Sequence, residues 1–128
     1  MSYCFARTVN GGFDEVVERV VGALKQEGFG VFTDIDVAGT MKQKLGVEFR
    51  KYRILGACNP RLADKALTAD DKVGAMPPCN VIVQEPVPGQ IEIAAIDPMA
   101  AMAQVGDAAL EVVAREVAQA LHRVVQAV

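Results

Sequence analysis

The sequence predicts an α+β fold, a two-layer sandwich: a mainly antiparallel sheet of about five strands with two long helices on one face. Two observations carry this. The segments 13–27 and 107–127 each repeat apolar residues at three- and four-residue steps, and two such stripes need one shared core. About five shorter segments alternate apolar and polar residues as strands do, and two of them follow each other closely enough for a hairpin. With 128 residues the chain is expected to form one domain, 1–128, large enough to bury a core without disulfide staples.

The elements follow in order. "YCFARTV", residues 3–9, reads as a strand, with Tyr3 and Phe5 on one face and Cys4, Ala6 and Thr8 on the other; "NGG" ends it. The first long helix carries the stripe Phe13, Val16, Val17, Val20, Val21 and Leu24. Asp14 and Glu15 suit the dipole at its start. Gly28 is suited to the left-handed stop, with Phe29 supplying the apolar contact. In "FGVFTDIDV", Val31, Thr33, Ile35 and Val37 alternate with Phe32, Asp34 and Asp36, which predicts a strand with one wetter face. "GTMKQKLG" reads as a short helix with Thr40 as N-cap and Gly46 as stop.

"KYRILGAC" predicts the third strand, with Tyr52, Ile54 and Gly56 on one face and Arg53, Leu55 and Ala57 on the other. A second short helix follows. Asn59 suits its N-cap, Pro60 suits its first position, and Leu62, Ala63, Ala66 and Leu67 form its apolar side. Past a polar loop ending in Pro77-Pro78, "CNVIVQE" and "QIEIAAI" predict a hairpin around the four-residue loop "PVPG". Asp97-Pro98 opens a short helix, "PMAAMAQ", and the last helix carries Leu110, Val113, Ala114, Val117, Leu121, Val124 and Val125.

Composition removes some functions. The net charge is −3 and the 13 basic residues are scattered, so no nucleic acid is expected as a partner. No apolar run is long enough to cross a membrane, and "MSYCFARTVN" has neither the basic region nor the long apolar region of a secretion signal. Three cysteines make a poor disulfide framework, so reduced thiols and a cytoplasmic location are expected.

The cysteines carry most of the functional signal. Cys58 stands just before a helix start, where unpaired N–H groups favour a thiolate. Cys79 opens a strand after a rigid proline pair. If the third and fourth strands are neighbours, the two thiols share one end of the sheet. Lys44, Tyr52 and Asn59 are the other candidates to line a cleft there. Cysteine is also a good small hydrophobe, and Cys4 between two aromatic residues reads as packing. Zinc is not expected: there is no C-x-x-C pair and only one histidine. That histidine, His122, suits a solvated position near a helix C-terminus. Asp34 and Asp36 share a strand face and form a candidate carboxylate pair, or simply the wet side of an edge strand. Met99 and Met102 read first as core and second as soft-metal ligands. "NGGF" lacks the pattern of a phosphate loop, and the residues specify no cofactor.

Several motifs in order resemble one family. They are Thr40-Met-Lys-Gln-Lys44-Leu45-Gly46, Tyr52-Arg-Ile-Leu-Gly-Ala-Cys58-Asn59-Pro60 with Leu62 and Ala63, Pro78-Cys79-Asn-Val81, and Asp97-Pro98. Together they resemble the domain of unknown function 302 family over most of the chain. The resemblance implies a fold like half of the TATA-binding protein, β-α-β4-α. It implies no activity.

Three functions remain. The first is a domain binding a small molecule or a soft metal such as Cu(I) near Cys58 and Cys79. The second is a thiol redox or sulfur-transfer protein, with Cys58 as nucleophile and Cys79 resolving. The third is a structural module that works by dimerising; a homodimer is expected in any case, because an open sheet leaves edges that pair. No Ser/His/Asp set supports a hydrolase, and whether the chain is an enzyme is left open by its residues.

Overall fold

The computed structural model describes residues 3–75, 79–103 and 105–128. Five strands form one antiparallel sheet: β1 (Cys4–Asn10), β2 (Gly30–Asp36), β3 (Tyr52–Cys58), β4 (Cys79–Val87) and β5 (Gln90–Ile96), in the spatial order β1-β5-β4-β3-β2. The long helices α1 (Phe13–Gln26) and α5 (Ala108–Ala127) pack together on one face, with the short helices α2 (Val37–Leu45), α3 (Pro60–Ala69) and α4 (Pro98–Met102) around them. The two-layer α+β architecture is the predicted one.

The core lies between this face and the two long helices. Val16, Val20 and Leu24 of α1 and Leu121 and Val124 of α5 are fully buried against Leu55, Val81, Val83, Ile91 and Ile93. No charged or polar side chain is buried among the described residues. Val21, expected in the α1 stripe, is 38% exposed: the sheet takes only the arc centred on Val16, Val20 and Leu24. At the end of α1, Gly28 has φ 86°, and the Phe29 N–H donates to the Leu24 carbonyl at 2.9 Å. Phe29 is thereby turned into the core, as expected of a left-handed stop.

Three local expectations change. α2 begins at Val37, not after Thr40: the Asp36 carboxylate accepts from the Gly39 N–H at 3.0 Å, and the Thr40 hydroxyl donates to the Asp36 carbonyl at 2.8 Å. Asp36 is the stronger N-cap and stands where the strand ends, so it sets the start, and Val37 leaves the strand. Gly46 closes α2 with φ 67°, as expected. The β4–β5 loop has two residues, not four. Val87 pairs with Gln90, leaving Pro88 and Gly89 as the turn, with Gly89 at φ 82°. A register shift between Gln84 and Val87 accommodates Pro86, which has no N–H for the ladder. β2 breaks register between Val31 and Thr33, which leaves Phe32 69% exposed on the edge strand.

The predicted proline-led helices form. Asn59 caps α3 by accepting from the Leu62 N–H at 3.3 Å, and its amide donates to the Glu27 carbonyl at 3.4 Å. Asp97 caps α4 through the Met99 N–H at 3.0 Å. Gln104, expected to close that helix, lies outside the described residues. Replacing Asn59 by Ala is expected to lower stability by about 1 kcal/mol, read from the midpoint of denaturant unfolding; an unchanged midpoint would show that the cap carries no weight.

Candidate functional site

Cys58 is the last residue of β3 and Cys79 the first of β4. In the antiparallel register Ala57 faces Cys79, so the two cysteines are diagonal neighbours at one end of the sheet. Beyond this end the chain turns into α3, whose start Asn59 fixes.

Here α3 does not close onto the core. Its apolar side was expected to be buried, yet only Leu62 is; Leu67 is 45% exposed. Leu62, Ala63, Ala66 and Leu67 instead line a cavity of about 430 Å³. Leu110, Val113, Ala114 and Val117 of α5 form the facing wall. Phe29, Ala57, Cys58, Asn59 and Cys79 close the sheet end, and Pro98 and Met102 of α4 complete the lining with Val73 and Gly74 from the short 3-10 helix Asp71–Ala75. Among the described residues that line it, none carries a formal charge and Asn59 has the only side-chain amide.

Both thiols are free and half-buried. Burial pushes the Cys79 thiol up from 9.0 to about 11, and the neighbouring Cys58 adds to the shift. The dominant cause is the loss of water around a group that would have to carry charge. Cys79 is therefore a neutral thiol at neutral pH.

The other sequence candidates are spread more widely. Asn59 lies at the cavity, as expected. Tyr52 stands at the opposite end of β3, roughly 20 Å away at the usual rise per residue, and faces the side of the sheet without helices. Lys44, exposed in α2, is not part of the cavity lining either. Pro77-Pro78, the rigid approach expected before Cys79, lie outside the described residues. Met102 lines the cavity, whereas Met99 does not. Cys4 is not in the helix-side core: it is half-buried on the uncovered face, opposite Ile96. His122 is exposed and packs edge-on to the Phe5 ring, centroids 5.2 Å apart.

Asp34 and Asp36 do not act as a pair. Asp34 is held by the Arg53 guanidinium through two hydrogen bonds, which keeps its carboxyl below the ordinary value of 3.8, while Asp36 caps α2. Among the described residues no three His, Cys, Asp or Glu side chains come together in a way that could hold a metal ion. The 3-10 segment and the α5 wall were missed as site elements. Val113 belongs to the predicted core stripe of the last helix, and that it borders a cavity follows only from the tertiary packing of α3.

The architecture, a five-stranded antiparallel sheet backed by two helices with a lateral cavity at the β3–β4 end, defines a small α+β domain of the single-sheet type. The family model described as Domain of unknown function DUF302 matches residues 5–128, and the chain belongs to that family. It is also similar to a solved structure, an uncharacterized conserved protein DUF302 from Bacillus stearothermophilus, with 29% identity over 98% of each chain and a TM-score of 0.89. No curated protein matches the chain.

Proposed function

We propose that this domain binds a small, uncharged, mainly apolar molecule in the cavity beside Cys58 and Cys79. The observation that carries the reading is the 430 Å³ space lined almost wholly by aliphatic side chains, left where an apolar helix face would otherwise be packed. Pockets of this volume with few polar groups suit small apolar ligands. Among the described lining residues, Asn59 and the two thiols supply the side-chain polarity, enough to orient one hydrogen-bonding group.

Titrating methyl-labelled protein with indole is expected to shift the resonances of Leu62, Leu110, Val113 and Val117. Ala63→Phe should fill the space from the α3 side and abolish those shifts while the fold is kept. Indole that shifts none of these methyls, or shifts them equally in the filled variant, overturns the reading.

Thiol chemistry and soft-metal binding both use the thiolate. Burial of the Cys79 thiol disfavours the thiolate that either chemistry would need at that residue. Were either correct, Cys58→Ser/Cys79→Ser protein would lose its oxidation or Cu(I) uptake and keep its fold.

A homodimer remains part of the proposal. β1 and β2 are the two edges of the sheet, each with one unpaired side, and such edges favour strand addition by a second copy. Light scattering should give twice the chain mass; 13.6 kDa at high micromolar concentration would remove the dimer. No helix among the described residues is long and apolar enough to cross a membrane. Three free thiols suit the reducing conditions of a cytoplasm, the location proposed here.

A further inference from the structure

The sheet face that carries no helix holds a second concavity, of about 360 Å³. Its floor is apolar. One row, Ile35, Ile54, Ile82, Ala94 and Ala6, runs in register across all five strands, and the concavity lies over the Ile82–Ala94 part of it. The next row is Tyr52, Gln84 and Glu92.

These polar groups are held in place. The Arg50 guanidinium donates to the Gln84 side-chain oxygen at 2.7 Å, and the Gln84 amide donates to the Glu92 carboxylate at 2.7 Å. Arg50 itself lies 4.5 Å from the centre of the Phe49 ring. It reaches Glu92 only through the amide. Glu92 has no ion pair with any described residue.

A half-buried carboxylate without an ion pair among the described residues, above an aliphatic floor and with a tyrosine two strands away in the same row, is complementary to one chemical class. An ammonium meets the carboxylate with a charge-assisted hydrogen bond. Its apolar body covers Ile82 and Ala94, and the ring face of Tyr52 attracts the positive charge. The chain's net charge of −3 draws the same sign of ligand. We propose that this concavity binds a small organic cation, an alkyl or aryl ammonium, with Glu92 as its counter-ion and Tyr52 as its aromatic wall. The site lies on the opposite side of the sheet from the Cys58–Cys79 cavity and does not depend on what that cavity holds.

The test is a methyl-resolved titration with 2-phenylethylammonium, set against 2-phenylethanol, which has the same body without the charge. The ammonium is expected to shift the methyls of Ile82, Ala94 and Ile96 and leave those of Leu62 and Val113 unmoved. It should bind about tenfold more tightly than the alcohol, and Glu92→Gln should remove about that factor. Tyr52→Leu should weaken the ammonium more than the alcohol. If Glu92→Gln fails to fold, the ammonium–alcohol comparison on the unaltered protein still decides. Equal binding of the two probes, unchanged binding in a folded Glu92→Gln, or no shift at these three methyls overturns the proposal. So does broadening of those methyls with protein concentration alone, which would show that a second copy covers the face.

Discussion

Raising the pH from about 9 to about 11 is expected to cost the protein about 2–3 kcal/mol of stability through Cys79 alone. The folded thiol is raised from 9.0 to about 11 by burial. A group raised in this way contributes fully below its unfolded value. As the pH climbs past 9.0, the unfolded chain ionises the thiol and the folded chain resists. The contribution is lost through this window and is gone above about 11. Other groups titrate in the same range, so the quantity to measure is the difference between the unfolding curves of the parent and Cys79→Ser. That difference should be flat near neutrality and shrink above pH 9. The same burial predicts that iodoacetamide alkylates Cys79 in folded protein, near neutral pH, about two orders of magnitude more slowly than in unfolded protein. Alkylation of both forms at one rate, with a pH-independent stability difference, would show that Cys79 is wet and the cavity is not built as described.

Gly56→Ala is expected to destabilise the fold by about 1–3 kcal/mol, the range for overpacking a tight site. Gly56 is buried in β3, directly opposite Thr33 of β2. A methyl group there would collide with the Thr33 hydroxyl oxygen and come within 3.4 Å of the Thr33 Cβ. Relief needs either rotation of Thr33 or displacement of the edge strand. Removing the obstacle should remove the cost: in a Thr33→Ala background the same substitution should fall to near neutral. The double-mutant cycle, read from denaturant midpoints, isolates this pairwise contact. An equal cost in both backgrounds would place the strain elsewhere, and no cost in the parent would mean that β2 moves freely.

The contrast between α3 and α5 shows what local pattern can tell. Both have apolar residues at helical spacing. In α5 every residue of the predicted stripe except Val113 is buried. In α3 the equivalent residues border a cavity, with Leu62 alone buried. Periodicity says which side of a helix avoids water and nothing about how closely the neighbouring surface approaches. Here α3 rests on α5 and on the short helix after it, and the β3–β4 end stops short of filling the space beneath.

The candidate site divides in the same way. That Cys58 and Cys79 come to the same end of the sheet was legible, because both stand at strand ends and consecutive antiparallel strands bring such ends together. Tyr52 and Lys44, expected at the same cleft, are not there: Tyr52 starts β3 six positions before Cys58, and Lys44 belongs to α2. The state of Cys79 was not legible. A cysteine at a strand start carries no mark of how much water reaches it, and its raised pKa follows from the walls that other elements build around it.

The caps and periods set by neighbouring residues were determined by the sequence itself. The Asn59-Pro60 and Asp97-Pro98 starts, the Gly28 and Gly46 stops and the buried arcs of α1 and α5 all satisfy backbone groups or apolar faces within a few residues. Only the tertiary structure decided the cavity, the neutral thiol at Cys79, the close approach of Thr33 to Gly56 and the Glu92 carboxylate held by Gln84 on the uncovered face. Each of these depends on the distance between residues far apart in the chain, and that distance is set when all the layers pack at once.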